Sequence, residues 1–327
     1  MKKRTFHIPI FVPHKGCPHD CVFCNQHKIT GQRAEMTPLA AQEIIESHLS
    51  TIEKYNEAGS YRAEIAFFGG SFTAIDREYM FSLLELGYEY VKTGRVQNLR
   101  CSTRPDCIDE EILCLCKSYG MGVIELGLQS ADEEVLLKSA RGHSFEDTKN
   151  ACRLIKKHGF ELGLQMMTGL PGDTDEKSID TARKIVNLGA DCVRIYPTLV
   201  MEGTHLWDMY KSGEYIPVSL EESVSLVSKI VPIFENAGIE ILRIGLQTTD
   251  NVNEKTVVGP YHNAFAELVY GRIIRDKIES YIVEINMKPS VFEFEAPKNK
   301  ISQILGHKKE NVRYFYDKYE IVIKPIA

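Results

Sequence analysis

Between Phe6 and Tyr196 the sequence repeats one pattern six times: a short apolar, β-branched run, then a longer segment whose apolar residues recur every three or four positions. The runs are Phe6–Val12, Ile65–Phe68, Leu99–Thr103, Val123–Leu128, Leu162–Met167 and Asp191–Tyr196. The first helical pattern opens at Thr37-Pro38 and carries Leu39, Ile44, Ile45, Leu49 and Ile52 on one face. The others fall at Asp76–Val91, Ile108–Tyr119, Asp132–Ser139 with Ser144–His158, and Glu176–Leu188. Strands separated by crossover helices pair in parallel, so the pattern predicts an α/β fold around a parallel sheet. Six units fall short of a closed eight-stranded barrel. The expected fold is a partial (β/α)6 TIM-like barrel with a lateral opening, able to admit a large substrate.

Two more helices, His205–Lys211 and Ser219–Ala237, and a strand at Ile239–Leu246 follow the sixth run. The polar, turn-rich stretch Thr248–Gly259 then marks a boundary. The expected domains are a barrel over 1–247 and a small C-terminal α/β appendage over 248–327. The appendage is read as a helix at Ala264–Asp276, a strand at Tyr281–Met287, a helix at Asn311–Tyr319 and a strand at Glu320–Lys324.

Residues able to do chemistry gather where the runs end, the place where parallel sheets build their sites. Directly after the first run, Cys17, Cys21 and Cys24 stand at C-x3-C-x2-C spacing, close enough for three thiolates to converge from one loop. Two metal readings compete. An iron-sulfur cube held by three cysteines keeps one iron free of protein ligands, open to bind and activate a small molecule. A structural zinc of Cys3His type would instead recruit His14, His19 or His27. Phe23, beside Cys24, is either an ordinary core aromatic or a shield over the bound group.

Charge and cysteine content narrow the class. A net charge of -6 argues against a generally basic nucleic-acid binder. Nine cysteines without a regular framework do not describe a secreted disulfide scaffold, and a reducing cytoplasm is expected. No run of about 18 apolar residues occurs, and the stretch after Met1–Arg4 is too short and too proline-broken for a signal core, so neither export nor a membrane span is expected.

The cysteine loop after the first run, Phe23, Gly69-Gly70 after the second run and the six βα units together resemble the radical S-adenosylmethionine superfamily, over about residues 6–245. Longer stretches narrow the likeness to the radical domain of the elongator-complex catalytic subunit. They are Phe68–Phe72, Thr103–Asp106, Glu125–Ser130, Arg141–His143, Met166-Met167, Tyr196–Val200, Gly203-Thr204 and Lys211–Gly213. About 80 residues follow the barrel, too few for that subunit's acetyltransferase domain, so the likeness is to a short elongator-like form.

The resemblance implies a 4Fe-4S cluster on Cys17, Cys21 and Cys24 whose open iron binds S-adenosylmethionine. One electron, from a reductant such as ferredoxin or flavodoxin, then cleaves it to methionine and a 5'-deoxyadenosyl radical that abstracts hydrogen from the substrate. It also implies cofactor contacts at Gly69 and Gly70, at Ser71, where many relatives carry glutamate, and at Ser102 and Gln165, where oxygen-independent coproporphyrinogen oxidase has glutamate and aspartate. Gln129 and Arg141 match cofactor-contacting positions of that oxidase, and a guanidinium suits a carboxylate. Tyr196 and the Thr198 region either line the substrate side or close a buried strand end.

Near the C-terminus, Lys298–Lys324 carries seven Lys/Arg against three acids, interleaved with Tyr314, Phe315, Tyr316 and Tyr319. Such a segment either tracks a phosphate backbone and stacks bases or is a solvated helix face with its aromatics in the core. Three functions are therefore open: a radical enzyme acting on RNA or tRNA, a radical enzyme acting on a small metabolite or tetrapyrrole, and a zinc-stabilised binding protein. The six cysteines outside the loop form no second cluster motif.

Overall fold

The computed structural model describes residues 4–12, 16–25, 36–55, 61–246, 252–253, 256–286, 290–297 and 300–326. Its main sheet comprises β1 (Arg4–Val12), β2 (Tyr61–Gly69), β3 (Asn98–Thr103), β4 (Met121–Gln129), β5 (Glu161–Thr168), β6 (Cys192–Pro197) and β8 (Glu240–Ile244). They lie in the order β1-β2-β3-β4-β5-β6-β8 and every pairing is parallel, as the crossover argument requires. Among the described residues β8 does not pair with β1, so the sheet is an open half-barrel. The strand expected at Ile239–Leu246 extends that sheet as its seventh member. A short antiparallel ribbon, β7 (Val200–Met201) with β9 (Val257–Val258), lies beyond the end of β6.

Each crossover helix begins on a side-chain cap. The helices are α1 (Pro38–Tyr55), α2 (Arg77–Lys92), α3 (Glu110–Ser118), α4 (Glu133–Lys138), α5 (Phe145–Lys157), α6 (Asp175–Asn187), α7 (His205–Ser212) and α8 (Leu220–Asn236). From α2 onward, Asp76, Asp109, Asp132, Ser144, Thr174, Thr204 and Ser219 each accept the backbone N–H three residues on. Such a cap stabilises a helix by about 1 kcal/mol and fixes where its first turn starts. Strand ends and helix starts are thereby held in register, and the connections between them project from one rim.

Alternation along the strands gives the sheet two unlike faces. Ile8, Ile65, Leu99, Ile124, Leu162 and Val193 point outward into the apolar core shared with the helices. The intervening residues point into the half-barrel and carry charge. Glu125 there accepts from Arg100 Nη1 at 2.8 Å and Arg194 Nε at 2.6 Å, and Glu64 accepts from Arg100 Nε at 3.0 Å. Burial pushes the Glu125 carboxyl up, but Arg194 and Arg100 outweigh it and hold it at about 2. His7 joins the layer 3.4 Å from Glu64, and burial with the two guanidiniums lowers its imidazole to about 4.

The appendage departs from the expected pattern. The segment read as a strand at Tyr281–Met287 instead begins as the last turn of a long helix, α9 (Phe265–Glu284). Tyr281-Ile282-Val283 looks strand-like by composition, yet burial falls on Ile278 and Ile282, four apart, while Tyr281 and Val283 are exposed. The strand lies further on, at β10 (Val291–Glu295), where Phe292-Glu293-Phe294-Glu295 alternates strictly. After it come α10 (Ile301–Leu305), α11 (Glu310–Tyr319) and β11 (Val322–Ile326), which pairs with β10 in parallel.

A second apolar cluster, including Ile278, Ile282, Ile304, Phe315 and Ile323, lies under this pair of strands. The first half of α9 packs into the main core through Phe265, Leu268, Val269 and Ile273, so one helix serves both. Most aromatics expected to stack bases are engaged here. Phe315 is fully buried, and Tyr314, Lys318 and Tyr319 all converge on Glu279 at 2.6 Å. No described helix is long and apolar enough to cross a membrane.

Removing the shared acceptor of the ionic layer would leave two buried guanidiniums short of a partner. Glu125→Ala is expected to lower unfolding free energy by about 3–5 kcal/mol, read as a fall in the urea midpoint at unchanged slope. The Glu125 carboxyl sits below its ordinary 4.5 in the folded chain, so its contribution is full above that pH and is lost as pH falls toward about 2.

Candidate functional site

The cysteine turn leaves the sheet at the carboxyl end of β1, beside the glycine pair. Val12 is in register with Gly69, and its carbonyl accepts from Gly70 N at 2.9 Å. Three other strand-end connections then grip the turn. On the β2 side, Gly16 has φ +70, and a Cβ added there would lie 2.3 Å from the Ser71 carbonyl, so only glycine permits the approach. The Cys17 thiol sits 3.5 Å from the buried Ser71 hydroxyl. On the β4 side, Val22 N donates to Ser139 O at 3.2 Å. The His19 ring lies over Gly142, where a Cβ would come within 2.3 Å of it. On the β6 side, Leu206 N donates to Val22 O at 2.7 Å and Asn25 Nδ2 to Gly203 O at 3.2 Å.

Arg141 ties the turn to β4. It is buried, its Nη1 lies 3.1 Å from the Cys21 sulfur, and its Nη2 donates to the Gly127 carbonyl. Its own carbonyl accepts from Arg104 Nη2, and Arg104 is held in turn by Asp106 at 2.9 and 3.0 Å. The register of β4 with β5 slips between Gly127 and Gln129, and Gln129 takes φ 67, a left-handed conformation uncommon outside glycine. A bulge of this kind re-aims the side chains around it. Gln129 Oε1 and Arg141 Nε are both buried without a hydrogen-bond partner among the described residues.

The remaining expected residues divide. Ser102 and Gln165 meet inside the half-barrel, where Gln165 Nε2 donates to Ser102 Oγ at 3.1 Å and to Glu125 Oε2 at 3.4 Å. Tyr196 is half-buried on the same inner face as Arg194, and burial pushes its phenol up. Phe23 packs in a satellite apolar cluster with Val22, Val200, Leu206 and Trp207, anchoring the turn over β7 and α7.

Cys17 is exposed and Cys21 and Cys24 are half-buried. Among the described residues, no three His, Cys, Asp or Glu side chains are gathered closely enough to hold one ion. His14 and His27 lie outside the described residues. Of the cysteines beyond the turn, Cys101, Cys116, Cys152 and Cys192 are buried, and burial pushes the last three to about 12, so they remain thiols.

Comparison with known families decides which superfamily the chain belongs to. The Radical SAM superfamily model matches residues 11–185, and the Radical_SAM C-terminal domain model matches residues 190–275. The chain belongs to the radical SAM superfamily. It is similar to the tRNA uridine(34) acetyltransferase of Methanocaldococcus jannaschii, with 31% identity over 68% of this chain and 47% of that protein. It is also similar to Elongator complex protein 3 of Bos taurus, with 28% identity over 68% of this chain and 48% of that one. The chain thus spans about half the length of these curated relatives. Among solved structures, the archaeal Methanocaldococcus infernus Elp3 with an N-terminal deletion superposes with TM-score 0.64 at 25% identity, covering 88% of this chain and 65% of that one.

Residue-by-residue reading did not single out Arg104, nor Arg100, Glu125 and Arg194. A signal was there: each is a charge within or at the end of an otherwise apolar run, and such a charge is buried only if paired.

Gly16→Ala should loosen the turn without disturbing the half-barrel. Amide hydrogen exchange over residues 16–25 is expected to speed by about tenfold or more, with the barrel strands unchanged. Equal protection in both proteins would show that the approach to Ser71 does not restrain the turn.

Proposed function

We propose that this radical SAM enzyme carries a 4Fe-4S cluster on Cys17, Cys21 and Cys24 and modifies RNA, with tRNA as its substrate class. One observation carries the cofactor part: a turn bearing three thiols is clamped by three neighbouring strand-end connections, with the Arg141 guanidinium on one sulfur. The donor set suits the group, because soft thiolates on a short turn are the ligands of iron-sulfur clusters. A cation against a ligating sulfur offsets the negative charge of a thiolate-bound centre. The two partnerless buried atoms, Gln129 Oε1 and Arg141 Nε, lie on the same rim; each forgoes about 1–3 kcal/mol that a bound polar cofactor would restore.

The rest of the site follows from position. Gly69 and Gly70 expose strand-end backbone beside the turn, and Ser71 presents a hydroxyl to Cys17. Gln165, its amide N–H held by Ser102 and Glu125, keeps its oxygen as an acceptor for a hydroxyl donor. Phe23 walls the turn on the β7 side, and Tyr196, half-buried on the inner face, is assigned to the substrate side. When bound, the cluster supplies the electron for reductive cleavage of S-adenosylmethionine, with a ferredoxin or flavodoxin as its source. The substrate class rests on the relatives whose names specify tRNA uridine and on the open side of the half-barrel. We carry over the substrate class alone, since the aligned region is about half of each relative.

Two measurements test this. Anaerobic turnover with S-adenosylmethionine and dithionite should give more 5'-deoxyadenosine when bulk tRNA is added, and digested tRNA should contain a nucleoside of new mass. If tRNA changes neither, the RNA reading fails. Cys21→Ala should lose the visible absorbance of the reconstituted protein while its far-UV circular dichroism stays that of the parent. A variant that keeps full absorbance removes Cys21 from the ligand set, and one zinc without sulfide in the parent overturns the cluster altogether.

A further inference from the structure

The family models end at residue 275, and the chain beyond α9 builds a unit of its own. Its order is β10, α10, a short turn, α11, β11, with the two strands parallel and the helices on one face. That order matches the βααβ core of a KH module, whose GXXG turn clasps the backbone of single-stranded nucleic acid, with Lys309 standing here in place of the second glycine. The turn here is Gly306-His307-Lys308-Lys309, with Gly306, Lys308 and Lys309 all at positive φ. It is fixed from behind by Asn311, fully buried, whose amide donates to Ile304 O at 3.0 Å and Gly271 O at 2.9 Å.

Charge is distributed to match. Elsewhere in the unit Lys318 pairs with Glu279 and Lys324 with Glu293. Lys308, Lys309 and Arg313 are exposed and make no ion pair among the described residues, so most of the unpaired positive charge collects at the turn and the start of α11, while Lys300 lies over the Tyr270 ring. The adjacent acid, Glu310, carries its carboxylate toward Gly271, and Asp317 pairs with none of the three cations. Arg313 and Tyr316, three apart on α11, share one stripe, and Lys309 stands at the helix's N-cap. Tyr316, 59% exposed, is also the aromatic of this helix that Glu279 and the core leave uncovered. Two cations followed by an aromatic suit successive phosphates and one stacked base.

We propose that residues 290–326 form a KH-like module that binds single-stranded RNA, with Lys308, Lys309 and Arg313 on the phosphates and Tyr316 under a base. This deepens the tRNA reading and rests on it for which RNA is held, because tRNA offers single strands in its loops and at its 3' end.

The test is fluorescence anisotropy of the full chain with a labelled unstructured RNA of about 12 nucleotides and with the matching duplex. Glycine fits the left-handed backbone without strain, so Lys308→Gly/Lys309→Gly with Arg313→Ala removes the charge while sparing the fold. That variant should bind the single strand about tenfold or more weakly, and its log–log salt slope should fall by about 2, near 0.7 per lost phosphate contact. Tyr316→Ala should weaken binding by about fivefold or more at unchanged slope. Lys149→Ala, on α5, should match the parent. Unchanged affinity and slope in the triple variant, or a duplex bound as tightly as the single strand, overturns the module. If tRNA stimulates cofactor cleavage while the triple variant binds RNA like the parent, the module falls and the enzyme reading stands. If the variant loses RNA but tRNA gains no new nucleoside, the module stands and the substrate reading falls.

Discussion

Arg141 is the side chain through which the rim is joined. Its guanidinium reaches the Gly127 carbonyl on the bulged end of β4 and the Cys21 sulfur on the cysteine turn, while Arg104 holds its backbone. A planar fork of five donors can serve two acceptors in fixed directions at once, which a lysine ammonium on a flexible stem does not do. Burial strengthens each of these contacts by removing competing water. Arg104 and Asp106 extend the chain to β3, so the ends of β3 and β4 and the cysteine turn are connected through two guanidiniums. The turn itself contributes little regular structure, and its shape is set by what grips it.

Beneath that rim the half-barrel is filled by ions rather than by the layers of branched apolar side chains usual in a closed barrel. Buried ion pairs are poor sources of net stability, since desolvation offsets most of the attraction. What Glu125 does provide is direction. It takes Arg100 and Arg194 on its two oxygens and also receives the Gln165 amide, which fixes which end of that amide faces inward. The charged layer therefore decides which end of the Gln165 amide is engaged and which is left to accept. Packing fixes the strands, and electrostatics fixes what they present.

The half-barrel was legible in the sequence because its signals are local. Alternating runs and the helical patterns that start at Asp76, Ser144 and Ser219 are each set by neighbouring residues, and the strands and helices of the half-barrel fall where expected. The clamp was not legible, because Arg104, Arg141 and Cys21 are far apart in the chain and meet only through topology. The error at Tyr281–Met287 has a different cause. β-branched and aromatic residues raise strand propensity, but tertiary burial at Ile278 and Ile282 selected the helix. The true strand carried a cleaner signal in the alternation of Phe292 and Phe294 with glutamate, and composition outweighed periodicity in the reading.

The helix that displaced that strand also links the two ends of the molecule. The appendage's buried cluster is small, and a core of that size does not sustain an independent fold without support. α9 supplies it, contributing Ile278 and Ile282 to the appendage and Phe265, Leu268, Val269 and Ile273 to the main core. A continuous 20-residue helix is about 30 Å long and stiff over that distance. A flexible tether would let the turn at 306–309 sample many positions, and the gain in effective concentration would be diluted over all of them. A shared helix instead holds the turn at one distance from the half-barrel.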